Sequence, residues 1–407
     1  MINNIFKITL ILSSTVIFAQ TSSKDSIVIG RNPIGDINAE QVSKAEIPGA
    51  AVVSRSKYGV LAIGGFFKTL GIVDTKSEMK LDASMPGYLG IPGVDAAQHG
   101  QSYIDARATR ITLTALTDVE GLKFKGYVEW NFRGEPTNFS FRVAYLTITT
   151  KSGKTEFLAG KYFSNIGDVY SVPDALSEPT VSGLMVNERQ EQIKWTQLLS
   201  PNFKFSTSVE NAPNADVLGS EIKNRIAPTV TTNLSWVHPQ FKTHFFIGGL
   251  LRNFWLTDKN DVEYKKIGWA LSAGTHYNFS PKTRLQYVFS TGAGIGNYMV
   301  GADPLAAGII IPNDKLSLRK SMGHYLALQH KWNDVLRSNV MSGMVILDNR
   351  TDYPSIFTYR STQLGINTMW KIKKFLTVGI EYWYGTREDL SGKKWDNQRF
   401  VFGVQLF

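Results

Sequence analysis

Basic side chains at alternate positions of segments with a two-residue hydrophobic period are the residues of this sequence best suited to chemistry. Successive side chains of a β-strand point to opposite faces, so basic residues that alternate with apolar ones share one face. If such faces line a common interior, their charges set the field that a solute crosses, and they favour anions. Arginine also offers a planar fork that matches a carboxylate or a phosphate. The predicted interior cations are Lys123, Lys125, Arg133, Arg142, Lys161, Lys242, Arg252, Arg284 and Arg387.

An acidic segment, Ser164–Arg189, interrupts the two-residue period and carries prolines and glycines. Loops of this length without a period are usually functional or disordered. We expect it to fold into the interior and narrow it, although an exposed outer loop is the alternative. Its acids would then face the basic wall, and the transverse field would orient a passing anion, with Arg142, Arg252 and Arg387 contributing most. The residues predicted to form this constriction are Asp168, Asp174, Glu178, Glu188 and Arg189.

Leu122–Arg133 shows most clearly which elements must position these side chains. Apolar residues occupy one parity of this segment, and lysine, glutamate and arginine share the other parity. Comparable segments recur nearly to the end of the chain, and no long amphipathic helix covers their apolar faces. An uncovered apolar face must meet lipid, and a sheet in hydrocarbon must close because no edge can stay unpaired. The pattern therefore predicts an all-β fold, a transmembrane antiparallel β-barrel.

Counting these segments gives about sixteen strands, an even number in the range that leaves an aqueous channel. Short turns alternate with long loops, which is typical of bacterial outer-membrane barrels. The second strand is predicted at Asp105–Thr117 and the eleventh at Thr283–Val300. In the strand Phe139–Thr149, we expect Phe139, Phe141, Val143 and Tyr145 to face lipid and Arg142 to face the lumen.

The predicted domain organisation has three parts. Met1–Ala19 has a basic start, a short apolar core and a small residue before Gln20, as in a secretory signal peptide. Residues 20–56 are polar and aperiodic, and we interpret them as a periplasmic N-terminal segment. Residues 57–407 form the predicted barrel. The chain has no cysteine, which excludes disulfides, thiol catalysis and a lipoprotein anchor.

Composition narrows the function classes. The formal net charge is +10, but no basic run or recognised nucleic-acid module is present, so nucleic acid is not a predicted partner. The six histidines show no metal-ligand motif, and no paired-carboxylate or nucleophile signature is evident. We therefore predict no metal, no cofactor and no catalytic site. An outer-membrane hydrolase stays open as an alternative, because catalytic triads are assembled in space.

Several segments resemble the DcaP-like family of trimeric outer-membrane porins. The resemblance implies a sixteen-stranded barrel in the bacterial outer membrane, a homotrimer, and passive diffusion of small anionic solutes such as dicarboxylates. Arg252 and Arg387 stand at matching arginine positions. Residues 20–56 lack the heptads that some members carry, and Phe407 breaks the parity of the last strand. The segments that carry the resemblance are His244–Leu256, Gly268–Met299, Lys331–Val340, Phe375–Glu388 and Asp396–Phe400, with looser matches at Gly64–Asp74, Ala106–Leu113 and Arg142–Thr150.

Two further functions are compatible with a barrel of this kind. A phosphate-selective porin would use the same basic lumen, because the arginine fork also matches phosphate. A structural or adhesive barrel would have a plugged lumen and would show no conductance. The solute, and the arginines that form the constriction, are open at this point.

Overall fold

The computed structural model describes residues 51–406, apart from residues 57, 58, 82, 93, 96–98, 135–137, 186–188, 212–216, 221–227, 239–242, 304, 312–314, 349–351 and 374. The predicted signal peptide and residues 20–50 lie outside the described residues. Their assignments therefore stay predictions.

The described chain is built almost entirely of β-strands. Eighteen strands form one sheet, and three short strands (β10, β15 and β16) form a second sheet among the loops. Three single 3₁₀ turns occur at Pro86–Tyr88, Val169–Ser171 and Gly296–Tyr298. Among the described residues, no helix is long and apolar enough to cross a lipid bilayer. The strands are β1 Ala51–Ser56, β2 Gly59–Asp74, β3 Gln101–Asp105, β4 Arg110–Val119, β5 Leu122–Gly134, β6 Asn138–Thr149, β7 Thr155–Phe163, β8 Arg189–Leu198, β9 Phe203–Glu210, β10 Val217–Leu218, β11 Thr229–Val237, β12 His244–Thr257, β13 Glu263–Asn278, β14 Thr283–Ala293, β15 Gly308–Ile311, β16 Lys315–Leu318, β17 Lys320–Lys331, β18 Leu336–Leu347, β19 Thr358–Lys373, β20 Leu376–Asp389 and β21 Lys394–Leu406.

The large sheet closes on itself as a barrel. Each wall strand pairs antiparallel with its neighbours, and β2 pairs with the last strand, β21, from Phe67↔Leu406 to Asp74↔Arg399. The short strands β3 and β4 occupy one wall position, because β3 pairs with the outer half of β2 and β4 with its other half. The barrel therefore has sixteen wall positions, with β1 added as an extra arm on β2. This confirms the predicted fold class and strand count.

Three predicted boundaries differ from the structure. The sheet begins at Ala51, within the segment predicted to precede the barrel. The predicted second strand is broken at Ala106–Thr109, where the Asp105 carboxylate accepts a hydrogen bond from the Arg107 amide at 2.7 Å and stabilises a turn. The predicted strand Thr283–Val300 ends at Ala293, because Gly294 adopts a φ of +77° and directs the chain into the lumen.

The predicted orientation of Val143 and Tyr145 on β6 was wrong. The register between β5 and β6 shifts at Glu129 and Trp130, so that Arg142 is an extra residue opposite β5. A bulge of this kind reverses the parity of the residues after it. Phe141 is exposed on the outer face as predicted, whereas Val143 and Tyr145 are buried in the lumen. Sequence parity alone carries no signal of where a bulge falls.

The two faces of the wall have opposite character. The outer face exposes large apolar side chains, as a lipid-facing band requires. The described parts of three long segments between wall strands, residues 75–100, 164–188 and 294–319, lie in the lumen, and their apolar residues pack against the inner wall. Two of these loops also pair with each other, since the Gly183 amide donates to the Val300 carbonyl at 2.8 Å. The loop between β7 and β8, called here the inner loop (residues 164–188), therefore folds inward as predicted.

Candidate functional site in the barrel lumen

Separate contacts fix the inner loop across the lumen. Near its start, Asp168 lies 3.0 Å from Nε2 of His244 on β12. In its middle, Asp174 accepts from Arg337 on β18 at 2.6 Å. Glu381 on β20 accepts from the backbone amides of Leu176 and Ser177 at 2.7 and 3.0 Å. These contacts tie the loop to β12, β18 and β20, and its residue Glu178 reaches the wall formed by β4 to β8.

Four arginines of that wall converge on one carboxylate of the loop, and we call Arg110, Arg133, Arg142 and Arg189 the arginine cluster. Arg133 and Arg110 lie 3.0 and 3.6 Å from Oε2 of Glu178. Arg142 and Arg189 lie 3.3 and 3.4 Å from its Oε1.

A second carboxylate, that of Glu129 on β5, accepts from Nε of Arg142 at 2.7 Å and lies 3.4 Å from Arg110. The site thus combines four guanidinium groups with two carboxylates. Two positive charges are in excess.

Local sequence explains why these arginines share one site. Arg110 alternates with outward Ile111 on β4, and Arg133 shares the inward parity of Glu129 on β5. Arg142 reaches the same place because of the bulge in β6. Arg189 is the first residue of β8 and follows the inner loop directly, so it belongs to the wall and not to the loop as predicted.

The side chains of the arginine cluster differ in the fraction of their surface that is exposed. The side chains of Arg133 and Arg189 keep 24% and 16% of their surface exposed, against 4% for Arg142. Arg133 and Arg189 therefore form the edge that a solute in the lumen meets first, and Arg142 forms the floor.

The electrostatics of Glu178 follow from its surroundings. Burial alone would raise the pKa of its carboxyl, but the charges of Arg142, Arg133, Arg110 and Arg189 outweigh burial. The net effect holds the pKa of Glu178 well below its usual range, so the carboxylate is ionised at neutral pH.

A row of lysines extends the basic wall toward the short turns. Lys125 lies 5.6 Å from the ring centre of Tyr127. Lys194 lies 4.5 Å from the ring of Tyr162, and Lys204 lies 5.7 Å from the ring of Tyr170. Lys194 and Lys204 line a narrow crevice beside the inner loop. Lys123 is exposed next to the turn between β4 and β5.

The remaining predicted interior cations that the structure describes contact protein groups. Arg252 is buried and donates to the Gly294 carbonyl at 3.0 Å. Arg387 is also buried, donates to Thr358 Oγ1 at 2.8 Å, and contacts the Leu89 and Ile356 carbonyls. Arg284 donates to Asn278 Oδ1 at 3.1 Å. The first two arginines face inward, but they fasten loops to the wall.

One predicted interior cation lies on the wrong face. Lys161 pairs with Ala144 and with Glu191, whose side chain is 61% exposed, and all three belong to the outer parity of their strands. The inward assignment of Lys161 is therefore corrected. Lys242 and Glu188 lie outside the described residues.

The predicted transverse field also needs correction. The three described acids of the inner loop, Asp168, Asp174 and Glu178, do not face the cations across open space. Each lies within 3.4 Å of a basic side chain of the wall. The positive potential comes instead from the excess of cations over carboxylates on one wall.

Sequence reasoning missed several residues of this wall. Lys194 alternates with outward Ile193 and Trp195, and Lys204 stands between two outward phenylalanines. Arg110 shares the same kind of alternation, so a signal was present for all three. The alternation also places Glu129 inward, but its contact with Arg142 depends on the bulge and had no sequence signal. Among the described residues, no group of His, Asp or Glu side chains is arranged to hold a metal ion.

Comparisons with known proteins agree with this architecture. The outer membrane channel DcaP of Acinetobacter baumannii is similar with a TM-score of 0.75 and 20% identity, over 87% of this chain and 98% of that one. An anion-selective porin from Comamonas acidovorans matches with a TM-score of 0.57 and 10% identity, over 86% and 99% of the two chains. The trimer form of OmpT from Vibrio cholerae matches with a TM-score of 0.53 and 13% identity, over 85% and 99%.

At these identities the solved structures establish the fold alone. Among curated proteins, no significant match was found. The family profile described as DcaP outer membrane protein matches residues 106–401, which is most of the barrel. The resemblance seen in the sequence is thereby confirmed, and the protein is a porin of the bacterial outer membrane that belongs to the DcaP family.

Proposed function

We propose that the protein is a passive diffusion channel selective for small anions, with dicarboxylates as its preferred solutes. The observation that carries this proposal is the arginine cluster, in which four guanidinium groups stand against two carboxylates on a wall that faces the lumen. Excess fixed cations raise the local concentration of anions and repel cations. No covalent step is part of the proposal.

The layout of the wall supports a solute with two separated negative groups. Arg133 and Arg189 provide planar forks that match one carboxylate. Lys194 and Lys204 lie on the neighbouring part of the wall and can attract the second carboxylate as it advances. A solute would thus pass from the two arginines to the two lysines without leaving the region of positive potential.

The nearest alternative is a phosphate-selective porin, because guanidinium groups also match phosphate. The two are separated by recording chloride current through purified protein in a planar bilayer while succinate or inorganic phosphate is added. We expect succinate to reduce the current at lower concentration than phosphate does. The opposite order would support the phosphate-selective alternative, and a cation-selective current would refute the proposal.

A structural barrel and a hydrolase would each give a distinct result. A structural or adhesive barrel, in which the three long segments close the lumen, would show no conductance in the same bilayer. An outer-membrane hydrolase would cleave lipid or peptide when purified protein is assayed on these substrates.

We also propose that the protein assembles as a homotrimer. The support is the trimer form of OmpT, which shares the fold, and the apolar outer face near the closure of the barrel. There Phe67, Ile104 and Ile380 are 71%, 79% and 63% exposed. The native mass of detergent-extracted protein should equal about three chains, and a monomer would refute this assembly without refuting the channel.

A further inference from the structure

Glu178 has surroundings unlike those of the other acids in the inner loop. Asp168 is paired with His244, and Asp174 with Arg337. Glu178 is surrounded by all four members of the arginine cluster, and both of its oxygens are engaged. Four guanidinium groups around one carboxylate is the arrangement of a carboxylate-binding site, and here the chain itself supplies the occupant.

The loop does not depend on Glu178 for its position. Glu381 binds two successive amides of the loop, next to Glu178 in sequence, and Gln363 accepts from the amide of Ser182 at 2.9 Å. These contacts fix the backbone on both sides of Glu178. The Glu178 side chain can therefore leave the arginines while the loop stays docked.

We propose that Glu178 is a tethered competitor, whose carboxylate occupies the arginine cluster between passages and exchanges with a carboxylate of the permeating solute. The inference rests on the proposed function. It adds that affinity for the solute is set by competition with a residue of the loop.

The exchange has a physical advantage for a channel. Conduction requires a site that is attractive enough to admit an ion and weak enough to release it. A cluster of four arginines balanced only by Glu129 would hold a dicarboxylate tightly and slow its release. With Glu178 present, a solute carboxylate replaces a bond of the same kind, so net affinity stays modest while selectivity against cations is kept.

The exposed fractions define the route of the exchange. The Glu178 side chain is 9% exposed, whereas Arg133 and Arg189 on either side of it are more open. A solute first contacts those two arginines and draws them from Glu178. Arg142 keeps its bond to Glu129 throughout, so the floor of the site does not move.

The test compares Glu178→Gln with Glu191→Gln in planar bilayers. Both substitutions replace one glutamate carboxylate by an amide, but Glu191 lies on the outer face and contacts Lys161 instead of the arginine cluster. We expect E178Q to lower the half-blocking concentration of succinate about tenfold, equivalent to about 1.4 kcal/mol, and to lengthen the blocking events. E191Q should leave the half-blocking concentration nearly unchanged, because it leaves the competitor and the inner loop in place.

The outcomes separate this inference from the proposed function. If wild-type protein is anion-selective and blocked by succinate, yet E178Q binds succinate no more tightly, the tethered competitor is refuted and the channel stands. If wild-type protein shows no anion selectivity, the proposed function itself fails. Should E178Q not assemble, Glu178→Asp keeps the charge but shortens its reach, and it should change the half-blocking concentration in the same direction by a smaller factor.

Discussion

Two groups of lumen-facing arginines in this barrel do different work. In the arginine cluster of β4 to β8, guanidinium groups surround carboxylates, and two of them keep part of their surface open. Near the outer ends of β17 to β20, Arg319 and Arg387 are fully buried and contact the backbone carbonyls of Asp348 and Leu89. The charges of the first group create an electrostatic potential at the lumen side of the wall. The second group holds the mouth of the barrel together.

The difference shows what strand parity can and cannot tell. Parity assigns a side chain to the inner or outer face, because the strand period is two residues. It does not tell whether a loop has folded over that side chain. Strand parity assigns both Arg133 and Arg387 to the inner face, but only Arg133 remains at the surface of the lumen.

The largest effect should come from removing the inner loop where it crosses the lumen. Deletion of residues 173–183 takes away the segment between the Asp174 and Gln363 contacts, and the single-channel conductance should rise severalfold. Asp174→Asn is the control, since it removes one contact to Arg337 and leaves the segment in place. An unchanged conductance in the deletion variant would place the narrowest part of the channel in another loop.

A large effect on stability should follow from Arg387→Ala. This change leaves the buried carbonyls of Leu89 and Ile356 without their donor, at a cost on the order of 3 kcal/mol. We expect the heat-modifiable band in gel electrophoresis to convert at lower temperature, with the reversal potential unchanged. Arg133→Ala should show the reverse, a changed reversal potential with nearly normal heat resistance. Equal loss of stability in both variants would contradict the assignment of different roles to the two groups of arginines.

The smallest effect concerns pH. The folded-state pKa of Glu178 is lowered, so the attraction between its charge and the arginine cluster is complete above the usual glutamate pKa. That contribution is lost only as the pH falls through the lowered folded value. Titration of Glu178 should therefore contribute little to any change in succinate block between about pH 7 and about pH 5. The difference between wild type and E178Q should persist over that range, and a difference that vanishes near neutral pH would contradict the ionised state assigned to Glu178.

Much of the fold was predictable from the sequence because the two-residue period is a local property. The strand predicted at Leu122–Arg133 is present as β5, Leu122–Gly134. Inward folding of the inner loop was predictable from its length and its loss of period.

The rest depended on contacts between distant parts of the chain. The bulge that turns Arg142 and Val143 to one face has no local signature, and the outer position of Lys161 became evident only from its pairing with β6 and β8. The convergence of four arginines on Glu178 joins residues of four strands to a loop. Such a meeting point is set by barrel closure and loop packing, not by any short pattern.

We infer that the excess cations of the arginine cluster make the channel anion-selective. The most direct measurement is the reversal potential in a salt gradient for wild type, for the double variant Arg133→Gln and Arg189→Gln, and for Lys161→Gln. All three substituted residues are basic, but Lys161 lies on the outer face. We predict an anion-selective potential for wild type and K161Q, and a shift toward zero for the double variant. A double variant with the wild-type potential would contradict this inference.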